Sequence, residues 1–246
     1  MTFEFDASTV TARDAAARCA TSIVTPAAAD IDRDGAVAQA VRAAARGALA
    51  PASAGVAWCA TVEALAEGSA AVALTAASDV LGTSSPGGAT WTGLRGFDVD
   101  GAGQALQASP AWQLAVTATI TGVARTAIAA ATEALKTAKA AGRSIDAASP
   151  VLSDAATAVE ATRLLLFEAA SMGAATAAET ARALARIQAI EAVPLAFQAV
   201  TLAAGAEAMR PGTALERARR DATTLVDVLG DAAGAQAAAA AGVLPA

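Results

Sequence analysis

GAEAMRPGTALERARRDATTLVDVLG, residues 205–230, concentrates more charge and turn chemistry than any other part of the chain. Thr213 followed by Glu216 has the spacing of a capping box. The hydroxyl can accept the N–H of the third helical residue while the carboxylate reaches back to the Thr213 N–H. Behind the cap run Glu216, Arg217, Arg219, Arg220 and Asp221, charges of both signs on one predicted helix, and Gly230 closes it. Charges three or four residues apart on a helix pair with one another, so the plain reading of the cluster is an ion-pair network that braces helix or subunit contacts. A capped, glycine-stopped segment of this kind is a helix, and the same start and stop signals recur along the chain.

Composition agrees. Hydrophobic residues make up 55% of the 246 and charged residues 16%, which excludes disorder for most of the chain. Alanine supplies much of the apolar share; it is the best helix former, and its small side chain lets helix axes approach closely. Mean hydropathy is +0.47. Yet Glu63 and Glu67, Arg125, and Glu191, Pro194 and Glu207 interrupt the apolar runs before the about 20 residues that a bilayer requires, which predicts a chain folded in water without a membrane partner. The net charge of −6 and pI ≈ 4.7 argue against nucleic acid, whose phosphates call for a basic face. The sequence has no His and no Tyr, which removes His-based general bases, catalytic triads and His-ligated metals; no metal site is expected. Cys19 and Cys59 are too few for a disulfide framework and read as small buried hydrophobes. With an opening MTFEFDASTV that lacks the basic start of a secretory signal, they point to the cytoplasm.

Taken in order, the chain predicts helices throughout. Asp6 or Ser8 can cap a first one, with Val10, Ala17 and Ile23 on its apolar side. Pro26 marks a new start and Gly35 a break. Val37, Val41 and Ala44 share a face of a helix stopped at Gly47. Val56 to Leu81 reads as one long helix or two, interrupted near Gly68–Ser69. Residues 83–108 are rich in Gly, Ser, Thr and Asp and read as a connector; Gly87–Gly88 lacks the residues that would make it a phosphate-cradling fingerprint. Ser109–Pro110 opens a helix that runs to about Ala141, and Ser149–Pro150 opens another, stopped by Gly173. Pro194 predicts a kink. The alanine-rich tail after Asp231 leaves docking and fraying both open. The expectation is an all-α protein with an N-terminal helical domain over 1–82, a connector over 83–108 and a C-terminal helical bundle over 109–246.

Three stretches carry a family resemblance. TPAAADIDRDG with AWCATVEALAEGSAAVALT, WTGLRG followed by AVTATITGVARTAIAAATEALKTAK, and ALERARRDATTLVDVLG together resemble, in order, the acyl-CoA dehydrogenases. Glu216, Arg217, Arg220, Asp221 and Ala222 match that family's Glu-Arg-x-x-Arg-Asp-Ala helix. The resemblance implies two helical domains of acyl-CoA dehydrogenase type, the second a four-helix bundle, with the family's central β domain replaced by the connector 83–108. It also implies FAD as cofactor, an acyl-CoA or other acyl thioester as substrate, and assembly into a homo-oligomer or a heteromer with a full-length family member.

The departures qualify that inheritance. The family's Gly-Gly-x-Gly turn is reduced to Gly205, with Ala206 and Ala208 in the other places. Only Arg143 could stand in for an arginine that helps hold the flavin dinucleotide. Arg143, Gly205 and Gly230 are therefore the cofactor-binding candidates. The glutamate that abstracts the substrate α-proton in the family aligns with Leu229, and its alternative position falls near Trp112, so no catalytic residue is assigned. Glu168 and Glu207 remain as unplaced acids. Trp58, Trp91 and Trp112 read as packing residues. Three functions follow: a degenerate or partner-dependent subunit of an FAD-linked acyl-thioester oxidoreductase, a non-catalytic helical scaffold, or a flavin-free pocket for a hydrophobic acyl-type ligand.

Overall fold

The computed structural model describes residues 4–52, 55–82, 109–173, 176–229 and 232–243. Among them there is no β-strand. Helices α1 (Ala7–Cys19), α2 (Thr25–Asp34), α3 (Gln39–Leu49), α4 (Gly55–Ala66) and α5 (Ala70–Val80) form the first half. In the second half come α6 (Pro110–Ala140), α7 (Ala148–Ser171), α8 (Thr176–Ala204), α9 (Ala214–Thr224) and α10 (Ala232–Val243). The all-α class expected from the sequence is what is seen. The connector 83–108, with Trp91, lies outside the described residues, as does Gly230.

Local chemistry explains most boundaries. Asp6 caps α1 by accepting the Thr9 N–H at 2.7 Å, and Ser69 caps α5, which resolves Val56–Leu81 into two helices. Gly142 and Gly173, at φ +69° and +63°, terminate α6 and α7 in the left-handed conformation that glycine alone adopts without penalty. Two details differ from the sequence reading. Pro26 does not begin a separate helix: residues 20–24 form a π-helical turn that carries α1 directly into α2, with Pro26 in its first turn. One wide turn absorbs the altered hydrogen bonding. Nor is the apolar side of α1 the one expected. Val10 and Ile23 are exposed, and α1 instead buries Thr9, Ala16 and Cys19. Gly47 does not stop α3, which continues to Leu49 and buries Val41, Ala45 and Leu49.

α8 packs against α7, α6 and α10, and α4 packs against α6, α1 and α7, so α6 stands between the two halves. One continuous apolar cluster spans both, from Ala16 and Leu49 through Trp58, Leu65 and Ile120 to Phe167, Phe197 and Leu225. The alanine-rich tail docks: α10 buries Ala235 and Ala239 beside Ala183 of α8. α8 stays helical on both sides of Pro194. The expectation that no apolar run is long enough to cross a membrane requires correction, because α6 and α8 both are by length and composition. The apolar stretch of α6 is largely buried by its neighbours, and that of α8 less so. Arg125, read as the end of the run in α6, lies within the helix.

Small residues set how closely α4 and α6 cross. A methyl group at Gly122 would collide with the Glu63 carbonyl oxygen and lie 2.8 Å from Ala66 Cβ. Both are parts of a packed helix that cannot swing aside. Gly122→Ala should therefore destabilise the protein by about 1–3 kcal/mol, the range for overpacking a core. Gly47→Ala, in an exposed helical position with nothing within 4 Å, should stabilise it by roughly 0.5–1 kcal/mol. Urea denaturation of the two variants beside the parent measures both, and opposite signs are the expected result.

Candidate functional site

α4 is apolar almost throughout, which is why it sits in the middle of the fold, and it carries Glu63 into the core at 3% exposure. A buried carboxylate needs partners, and two other helices supply them. Arg163 of α7 donates through Nε to Glu63 Oε1 at 2.8 Å, and Arg125 of α6 places its Nε 2.8 Å from the same oxygen. Arg125 also donates to Glu67 at 2.8 Å and to Glu160 at 3.3 Å. Arg163 donates to Glu160 at 2.9 Å and stacks 5.4 Å from the centre of the Phe167 ring. Burial pushes the Glu63 carboxyl up, and the two guanidiniums draw it back only in part. Its Oε2 has no hydrogen-bond partner among the described residues. Cys59, one turn earlier on α4, is fully buried with its thiol pushed up by the same burial, which makes it a core residue and not a nucleophile.

A second charged cluster joins α9 to α2. Thr213 caps α9 by accepting the Glu216 N–H at 3.1 Å. The return half of the box is displaced by one residue, because Glu216 Oε2 reaches the Gly212 N–H at 3.5 Å while the Thr213 N–H donates to Arg210 O. Arg220 crosses to Asp32 of α2 at 2.7 Å and lies 3.6 Å from Glu216. Arg217 donates to Gly212 O at 2.8 Å. Asp221 faces a cavity of about 150 Å³ between α9, α2, the α4–α5 turn and α6, lined also by Asp32, Arg217, Glu67, Ser69 and Thr126. Burial raises its carboxyl to about 7, with Asp32 and Glu216 adding to the rise against Arg220 and Arg217.

Three further clefts are described. One of about 430 Å³ lies between α1, α6 and α7, floored by Ala17, Ala64, Ala129 and Ala156 and edged by Arg125, Glu67 and Glu160. Another, about 420 Å³, is lined by Arg42, Arg46 and Asp79 between α3 and α5, where Arg42 is paired with the buried carboxylate of Asp79. The third, about 550 Å³, is an open apolar groove between α8 and α9 lined by Ile190, Val193, Pro194, Phe197 and Val226, with Asp227 at its edge. Arg143 lies exposed in the turn after α6, and Gly205 exposed after α8 at φ +78°. Neither borders any of these four clefts, and no hydrogen bond or ion pair among the described residues joins them. Glu207 is exposed and 3.5 Å from Arg210, and Glu168 is also exposed. Leu229 ends a π-helical turn, Leu225–Leu229, that continues α9. Trp58 and Trp112 are core residues, and the Trp58 indole donates to Ala111 O at 3.0 Å. No group of three or more potential metal ligands is gathered among the described residues.

No family model and no curated protein matches the sequence. Solved structures do match the shape. A chain in the structure of the electron transferring flavoprotein of Acidaminococcus fermentans superposes with a TM-score of 0.80 at 15% identity, covering all of both chains. Butyryl-CoA dehydrogenase from Megasphaera elsdenii gives 0.76 at 14% identity, again over all of both chains. The FAD complex of PigA gives 0.73 at 13% identity over 98% of each. The fold is that of the acyl-CoA dehydrogenases.

On this acyl-CoA dehydrogenase-like scaffold the Glu63 cluster ties three helices of the interior, and Glu63 lines none of the four described clefts. Sequence reading met Glu63 and Arg125 only as interruptions of apolar runs, although a lone Glu inside AWCATVEALA was the available signal. Truncating one partner of a buried pair strands the other charge. Arg163→Ala should therefore cost about 3–5 kcal/mol in urea denaturation. The double variant Glu63→Leu/Arg163→Leu should recover most of that loss, since it removes both buried charges together.

Proposed function

We propose that this chain is a partner-dependent subunit of an FAD-linked acyl-thioester oxidoreductase, built on the acyl-CoA dehydrogenase fold but without its own complete reaction centre. The observation that carries the reading is the conflict between scaffold and site. The fold is complete over the described residues, while the position of the family's proton-abstracting acid is Leu229, which has no group to accept a proton. The buried carboxylates of Glu63 and Asp79 and the half-buried one of Asp221 do not replace it, and Asp79 is paired with Arg42. Glu63 is held by Arg125 and Arg163, and Asp221 faces a charged cavity too small for an acyl chain with its thioester.

The flavin candidates lead to the same reading. FAD, when bound, would supply the hydride acceptor. The donors present do not compose a site for it in one chain: Arg143 and Gly205 are exposed, border no described cleft and are not joined. A full-length partner would have to supply the remaining contacts, the acid and the shielding of the flavin ring. Exposed Leu164 on α7, Met172 just after it, and Leu184 and Leu202 on α8 give the bundle apolar positions at which a homo-oligomer or such a heteromer could form. Two buried, unpaired thiols suit a reducing compartment such as the cytoplasm.

A second reading rests on the α8–α9 groove. Its apolar lining and size suit a hydrophobic acyl-type ligand held without flavin. The visible spectrum separates the two. Expressed alone, the protein should be colourless and inactive on acyl-CoA; co-expressed with a full-length acyl-CoA dehydrogenase-like neighbour, it should co-purify in a yellow complex. A yellow, active protein from the single chain overturns partner dependence. A colourless chain that takes up a fatty acyl ligand by calorimetry, and recruits no flavoprotein, favours the groove.

A further inference from the structure

We propose that α9 is a proton-operated latch, closed on α2 when the carboxylate cluster behind it holds a proton and loosened when every member is ionised. Four features of the structure meet there. The interface sets Asp32 of α2 and Glu216 and Asp221 of α9 against only two guanidiniums, Arg217 and Arg220. Arg220 is committed to Asp32 at 2.7 Å and Arg217 donates to Gly212 O. Asp221 makes no ion pair or side-chain hydrogen bond among the described residues. Glu67, from the α4–α5 turn, borders the same cavity and is paired with Arg125; α6 contributes only the uncharged Val123 and Thr126.

The cavity of about 150 Å³ behind α9 means that this side of the helix is held by charge more than by close packing. The apolar anchors are Ala222 and Leu225, both buried. Before α9, Gly205 and Gly212 hold φ of +78° and +86°, with open space around both. They are hinge positions, which gives Gly205 a role unlike the cofactor contact drawn from the family resemblance. After α9 comes the π-helical turn Leu225–Leu229. Loosening α9 would therefore move the wall of the α8–α9 groove, to which it contributes Arg219 and Thr223, together with the segment that ends at Leu229.

The sign follows from burial. Asp221 titrates at about 7 when docked and near its ordinary value of 3.8 when α9 is released into water. The docked state thus keeps a proton that the released state has already lost. Docking is strongest below the released value and weakens as pH rises toward 7, by up to about tenfold per pH unit, and then levels off.

Hydrogen exchange of the amides of residues 214–224, corrected for the intrinsic base dependence of exchange, tests it on the full chain. Between pH 5.5 and pH 8 the opening of α9 should increase by about thirtyfold, while the amides of α6 change little. In Asp221→Asn, which is isosteric and cannot ionise, α9 should stay protected at both values. Asp32→Asn removes a neighbouring carboxylate and frees Arg220 for Asp221, so the midpoint should move to lower pH. Equal protection of α9 at both pH values in the parent overturns the latch. So does an unchanged pH dependence in Asp221→Asn, or an unmoved midpoint in Asp32→Asn, with unaltered circular dichroism in each variant.

Discussion

The Glu63 carboxylate, taken out of water on α4 and held by Arg163 and Arg125, is the constraint around which this fold closes. A core assembled largely from alanine gains little per side chain from burial, since apolar stabilisation scales with the area removed from water. It also offers few shapes that discriminate one helix register from another. A charge that must find its partners supplies what the alanines do not. Glu63 and Arg163 are one hundred residues apart in sequence, so the pair forms only when the N-terminal helices sit correctly on the bundle. Glu67 and Glu160 extend the same requirement outward along Arg125.

Close approach is the other half of that arrangement. Gly122 faces the backbone of α4 at the Glu63 turn, and this lets α6 come near enough for Arg125 to reach both Glu63 and Glu67. The contact and the ion pairs are consequently one feature. A side chain at 122 would separate the helices and lengthen charge-assisted hydrogen bonds whose strength depends on distance. The same logic explains why two helices apolar enough to cross a membrane, α6 and α8, stand here against other helices. Their small residues let neighbours approach, and the buried threonines of α6 donate to carbonyls one turn back in their own helix.

How much of this could be read from the sequence depended on range. Signals within four residues were legible: Asp6 and Thr213 cap the helices they precede, Gly68–Ser69 marks a break, and Gly142 and Gly173 stop their helices. Signals that depend on what lies opposite were not. Val10 and Ile23 look like a core face of α1 by spacing, yet they are exposed, because α1 turns Thr9, Ala16 and Cys19 to its neighbours instead. Pro26 reads as a helix start for the same reason: its missing N–H is a local fact, whereas the wide turn that accommodates it is not. Arg125 and Glu63 each look like an interruption when taken alone, and only the fold makes them partners. Of the cofactor candidates, Arg143 and Gly205 were legible as residues, but their exposure outside the described clefts was not, since it does not follow from a match in an aligned turn.

The charged helix α9 carries the argument furthest from the family pattern. Its Glu216, Arg217, Arg220 and Asp221 agree with the acyl-CoA dehydrogenase motif, and the structure gives those matches a mechanical use: Arg220 fastens α9 to Asp32, and Glu216 completes the cap through Gly212. None of these uses requires chemistry at Leu229. A helix can therefore hold these docking residues under the demands of folding with a leucine at position 229. Retention of the motif is then weak support for catalysis and good support for a preserved interface. The residue that escapes this division is Asp221. A carboxyl left beside a cavity, third in a cluster of three carboxylates that share two guanidiniums, weakens the docking that its neighbours secure at neutral pH. Had stability alone shaped this helix, an asparagine there would keep the shape and remove the ionisation cost, so the carboxyl is the part of α9 that folding does not explain.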